Sequence, residues 1–130
     1  MDKGSLKVGC FARSFLESER SDLVNVIRHS FASMKVSLTE VDPFPGWNPA
    51  PHTKTVTSMK KIYQSLFGQP PEIDAIHAGL ECGILSETYP HLEIVSFGPN
   101  VKGAHSPDEA LQISSTQKFW TYLTAVLAKL

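Results

Sequence analysis

Three side chains in this chain of 130 residues carry the donor chemistry of a metal site or an acid–base pair: His77, Glu81 and His105. Two imidazoles and a carboxylate could form a mixed nitrogen and oxygen zinc site. Each also has a plainer reading. His77 could be a strand-end histidine bonded to a carbonyl, Glu81 a first-turn carboxylate favoured by the helix dipole, and His105 a solvated loop histidine. Their surroundings keep the sharper reading open. His77 and Glu81 stand in His77-Ala78-Gly79-Leu80-Glu81-Cys82-Gly83, and His105 follows Phe97-Gly98-Pro99. In an open α/β sheet, ligands bind in the crevice beyond the carboxyl ends of the strands. Small residues such as Gly79 and Gly98 let the backbone approach a ligand closely. His77, Gly79, Glu81, Gly98 and His105 are therefore the candidate ligand-binding residues.

The residues after His105 are read as a helix start. Ser106 can act as an N-cap, Pro107 suits the first helical position, and Glu109 completes a capping box. Asp108 adds negative charge to the same turn. The positive end of such a helix would disfavour an imidazolium, leaving His105 neutral with a lone pair to donate, as a metal ligand or general base requires. Ile113, Trp120, Leu123, Leu127 and Leu130 fall on one apolar stripe of the helix that follows.

Two halves position these segments. In the first, 6–15 reads as a strand, Ser18 as an N-cap, and Leu23, Val24, Ile27, Phe31 and Met34 as the apolar face of a helix. Residues 36–41 alternate as a second strand, completing a β-α-β unit too small to close a core alone. The proline-rich run Asp42-Pro43-Phe44-Pro45-Gly46-Trp47-Asn48-Pro49-Ala50-Pro51 then reads as a stiff connector, pinned to a surface by Trp47. The second half opens with a helix whose apolar face is Val56, Met59, Ile62, Tyr63, Leu66 and Phe67, stopped by Gly68 and Pro70-Pro71. A strand at 73–76, a brief helix at about 81–87, a strand at 92–97 and the final helix follow. The order α-β-α-β-α predicts an α/β fold with a parallel sheet covered by helices.

Composition narrows the function classes. Formal net charge is −1, and no basic run or aromatic-threaded basic patch favours nucleic acid or an anionic membrane. No apolar stretch reaches membrane-spanning length. Cys10 and Cys82 lack metal-type spacing and read as buried thiols in a reducing compartment, or simply as small core residues.

The runs 77–83, Ser96-Phe97-Gly98-Pro99 and Gly103-Ala104-His105-Ser106-Pro107-Asp108-Glu109 resemble the C-terminal part of the aminoacyl-histidine dipeptidases, which are zinc exopeptidases of the aminoacylase and carboxypeptidase type. Arg13-Ser14 with Glu17-Ser18 resembles the second half of that family's lid domain, and Pro45-Gly46-Trp47 its return to the catalytic domain. The resemblance implies a partial lid or dimerisation unit at 1–42, a proline-rich connector at 43–52 and the C-terminal part of a catalytic domain at 53–130. It also implies a β-α-β half lid joined to an α-β-α-β-α portion, with His105 holding one of two zinc ions and 77–83 lining the substrate site. A cytoplasmic hydrolase of dipeptides ending in histidine, dimeric through its lid, is the expected whole.

The family's other ligands lie in a His-x-Asp motif, a bridging Asp, a Glu-Glu pair and a further Asp. None of the five histidines here is followed two residues later by Asp, and no Glu-Glu pair occurs. A co-catalytic zinc pair needs several ligands and a base, so the expectation is a portion of a larger enzyme that alone binds zinc weakly or not at all and has no assignable catalytic residue. A non-catalytic module that self-associates through an open sheet edge is the alternative. A small standalone hydrolase using His77, Glu81 and His105 is the third.

Overall fold

A computed structural model of the protein describes Gly4 and residues 6–41, 45–76 and 81–129. Among these are four helices and one small sheet: α1 (Glu17–Ser30), α2 (Lys54–Phe67), α3 (Glu81–Thr88), β1 (Val101–Lys102), β2 (Ala110–Leu111) and α4 (Ile113–Leu127). The chain forms two compact units, one of Met1–Pro49 with Ala75–Pro90, the other of Ala50–Asp74 with His91–Leu130.

The second unit contains the core. α2 begins where the Thr53 hydroxyl accepts from the Val56 N–H, and ends where Gly68 takes φ +78 and donates its N–H to the Gln64 carbonyl. A cap and a left-handed glycine stop are the features its sequence displays. Met59 and Ile62 on α2 meet Tyr122 and Val126 on α4, and these four are the buried apolar residues among those described. Burying each such side chain stabilises by about 1.5–3 kcal/mol. The Tyr122 hydroxyl donates to the Met59 carbonyl at 3.0 Å, so the buried phenol is satisfied. The Tyr63 ring stands edge-on to Phe67 and Tyr122 at 4.7 and 5.1 Å, and the Lys118 ammonium lies 4.9 Å from the Tyr63 ring centre.

The buried face of α4 differs from the predicted stripe. Ile113, Trp120 and Leu127 are 80%, 63% and 63% exposed, whereas Tyr122 and Val126 point inward. Aromatic packing decides this: Phe97 meets both Phe119 and Tyr122, at 5.4 and 5.3 Å, and fixes the rotation of the helix.

In the first unit α1 has no buried residue; Val24 and Ile27 are half-buried. It starts after Leu16 rather than at Ser18, and it ends before Phe31 and Met34, which the sequence placed on its face. Ser14 anchors the start: its hydroxyl accepts from the Leu16 N–H and donates to Glu19. Arg20 binds Glu17 on the same helix and Glu40 at 2.7 Å, which ties α1 to the 36–41 run. The paired guanidinium holds the Glu17 carboxyl below the ordinary carboxylate range, while Glu17 first and then Glu40 push Arg20 up. Gly83 on α3 is buried, and a Cβ there would stand 2.5 Å from the Pro45 carbonyl oxygen. The Pro45-Gly46-Trp47 stretch is half-buried, Trp47 included.

The class is α/β, but the expected parallel sheet is not among the described residues. Runs 6–15, 36–41, 73–76 and 92–97 carry no sheet ladder; the sheet present pairs β1 with β2 antiparallel, Val101 opposite Leu111 and Lys102 opposite Ala110. Period and β-branching mark a run as able to pair, whereas pairing requires a second strand alongside it. Val95 in the 92–97 run packs instead on the α2–α4 core. Cys10 is exposed and Cys82 half-buried, both free, so the buried-thiol expectation does not hold for Cys10.

Candidate functional site

His105 sits in a hairpin loop, not at a helix start. α4 begins at Ile113 after Gln112, and the residues between His105 and the helix form a turn followed by β2. The dipole argument for a neutral ring therefore loses its helix. The pattern misled for a physical reason. Ser-Pro-Asp-Glu suits a helix start or a single β-turn, and here the Glu109 N–H donates to the Ser106 carbonyl at 3.1 Å, the i to i+3 bond of the turn. Proline at the second turn position suits either outcome.

Gly103, His105, Ser106, Asp108 and Glu109 hold the loop together. Gly103 takes φ +63, and a Cβ there would lie a tight 3.0 Å from the Ser106 hydroxyl, so both the backbone and the space favour glycine. The Ser106 hydroxyl donates to the Gly103 carbonyl at 2.7 Å and accepts from the Asp108 N–H. The His105 N–H donates to the Glu109 carboxylate at 2.7 Å. His105 itself takes φ +64, the one non-glycine residue with positive φ among those described. That conformation costs about 1–2 kcal/mol for an L residue. The loop is tied to the start of α4: the Asn100 N–H donates to the Ser115 hydroxyl at 2.9 Å, and the Gln112 N–H donates to the Asn100 carbonyl at 3.0 Å. The result is an exposed histidine on a backbone fixed from both sides.

The other candidates stand on other segments of the chain. Gly98 precedes the hairpin and is exposed, with nothing within 4 Å of an added Cβ. That space is open to a ligand but does not demand glycine. Glu81 is the exposed first residue of α3, where its carboxylate suits the helix dipole, and it belongs to the first unit. His77 and Gly79 lie outside the described residues. At Gly83, the tight approach is to the chain's own Pro45 carbonyl. No group of three or more His, Cys, Asp and Glu side chains among the described residues could hold a metal ion. Sequence reading missed Glu109 as the partner of the His105 backbone; Gly103 and the Ser-Pro-Asp turn were the signals available.

No family model matches the chain. It is 35% identical over 131 residues, covering all of this chain and 27% of the relative, to the cytosol non-specific dipeptidase of Escherichia coli K12. Among solved structures, the aminoacylhistidine dipeptidase of Vibrio alginolyticus superposes with a TM-score of 0.74 at 34% identity, covering 90% of this chain and 24% of that one. The chain is similar to a stretch of these dipeptidases. The resemblance read from 77–83 and 96–109 thus extends over the whole sequence, and the chain spans about a quarter of each relative's length. No described helix is long and apolar enough to cross a membrane.

Proposed function

We propose that this chain is the C-terminal portion of a cytoplasmic, zinc-dependent dipeptidase that hydrolyses Xaa-His dipeptides. The observation that carries the reading is the end-to-end match at 35% identity to a dipeptidase. The names of the two relatives bracket the substrate class: one acts on aminoacyl-histidine, the other is non-specific among dipeptides. On this reading His105 supplies one ligand of a zinc pair, and the segment with His77, Gly79 and Glu81, together with Gly98, lines the substrate site.

An imidazole held at an exposed loop suits one coordination position. The described residues do not fit a whole zinc centre, because no three donors stand together. No hydrolytic step is therefore derived within this chain, and its own contribution is the fixed presentation of His105.

One observation favours a second role beside it, association through the first unit. Leu6, Val8 and Phe11 are 88%, 74% and 89% exposed along a run without a sheet partner among the described residues. An unpaired run of this kind recruits another strand, in keeping with a homodimer through the half lid at 1–42. The functional reading is tested by grafting: this chain replaces the matching stretch of the Escherichia coli relative. Metal-dependent dipeptide hydrolysis by the graft is the expected result. A folded graft without hydrolysis would overturn the reading.

A further inference from the structure

We propose that Glu109 is a positioning residue for His105, holding its backbone in the left-handed conformation from which the imidazole is presented; the role rests on the reading of His105 as a metal ligand. A connecting loop between β1 and β2 has no need of strain, since glycine at position 105 would take φ +64 freely. Histidine stands there instead, and strained backbone of this kind persists only where the surroundings over-determine it. The over-determination is visible. The Glu109 carboxylate accepts the His105 N–H at 2.7 Å, a charge-assisted bond across the mouth of the loop.

Glu109 is itself fixed. Its N–H donates to the Ser106 carbonyl at 3.1 Å, and the next residue, Ala110, pairs with Lys102 in the sheet. Ser106 in turn donates to the Gly103 carbonyl. With the Glu109 backbone so anchored, its carboxylate stays within reach of the His105 N–H, and their bond resists the one motion that would matter, rotation of φ at residue 105 back to negative values. That rotation would swing the Cα–Cβ bond and send the ring in a different direction. Asp108 makes no such bond with the His105 backbone; its N–H faces the Ser106 hydroxyl.

The test compares Glu109→Ala, which removes the acceptor, with Glu109→Gln, which keeps an amide oxygen in its place. On the 130-residue chain, the one-bond Cα–Hα coupling of His105 separates positive from negative φ by NMR. Positive φ should persist in the wild type and in Glu109→Gln and disappear in Glu109→Ala; its survival in Glu109→Ala would overturn the proposal. In the graft, zinc affinity measured against a competing chelator should fall about 10-fold for Glu109→Ala, as for other groups that orient metal ligands. Glu109→Gln should recover most of that loss. Equal affinity in Glu109→Ala and wild type would again overturn the positioning role. A folded wild-type graft that takes up no zinc overturns the metal-ligand reading instead, and the coupling measurement then judges Glu109 alone.

Discussion

His105 holds φ +64, a conformation that L residues seldom adopt. Its cost is conformational and so is separable from its chemistry. His105→Gly removes the left-handed penalty, whereas a β-branched residue enlarges it. His105→Val should destabilise the chain by about 1–2 kcal/mol in urea denaturation, and His105→Gly should leave stability unchanged or raise it. Equal stability of the two variants would mean that the loop relaxes freely and holds nothing in place. His105 stands out in the sequence as a candidate because a lone imidazole between small residues is chemically conspicuous. Its backbone conformation was not legible, because the Ser-Pro-Asp-Glu run after it satisfies both a helix cap and a β-turn.

At the scale of elements, α2 shows how a helix can be read in advance. Gly68 stops it, Thr53 caps it, and Met59 and Ile62 recur on its buried face. Ile62→Ala should cost about 2–5 kcal/mol by leaving a cavity in the α2–α4 core, and Gly68→Ala about 1 kcal/mol through its positive φ, both read from urea midpoints. α4 was harder, because apolar residues surround it and only the aromatic contacts of Phe97 choose the inward face. The strand runs were harder still: β-pairing is a non-local property, and a sequence window does not contain the partner. Tyr122 gives the core a pH signature. Burial first, and the neighbouring Tyr63 second, push its hydroxyl above the usual tyrosine range. The folded state then keeps a proton that the unfolded chain loses, so stability is full below about pH 10 and falls as pH rises through that region. Tyr122→Phe should flatten that alkaline loss in melts taken between pH 9 and about 11. An unchanged slope would show that the phenol does not sense burial.

The chain spans about a quarter of the length of each relative it matches. Four apolar side chains are buried among the described residues, while Leu6, Phe11, Ile113, Trp120 and others lie open. No cluster of three metal-binding side chains occurs among those residues. Incubated with a Xaa-His dipeptide and zinc, cobalt or manganese, the isolated chain should release no free histidine, because one imidazole does not hold a zinc pair and the base that the family resemblance implies is not among these residues. Turnover that survives purification and vanishes in His105→Ala would show a complete site within these residues. The acidic limb of stability belongs to this scale too. Arg20 holds Glu17 below the ordinary carboxylate range, and the Thr55 hydroxyl and N–H do the same for Glu93. Their contribution is present at neutral pH and is lost as pH falls below that range. We propose His105 as a metal ligand of a dipeptidase to which this chain contributes one segment. The measurement that tests it most directly is zinc content per chain of the graft with and without His105→Ala, alongside a circular dichroism melt. The expected result is the loss of one zinc and most of the hydrolysis with the fold intact. Unchanged zinc and unchanged turnover would contradict the claim and leave His105 a loop residue.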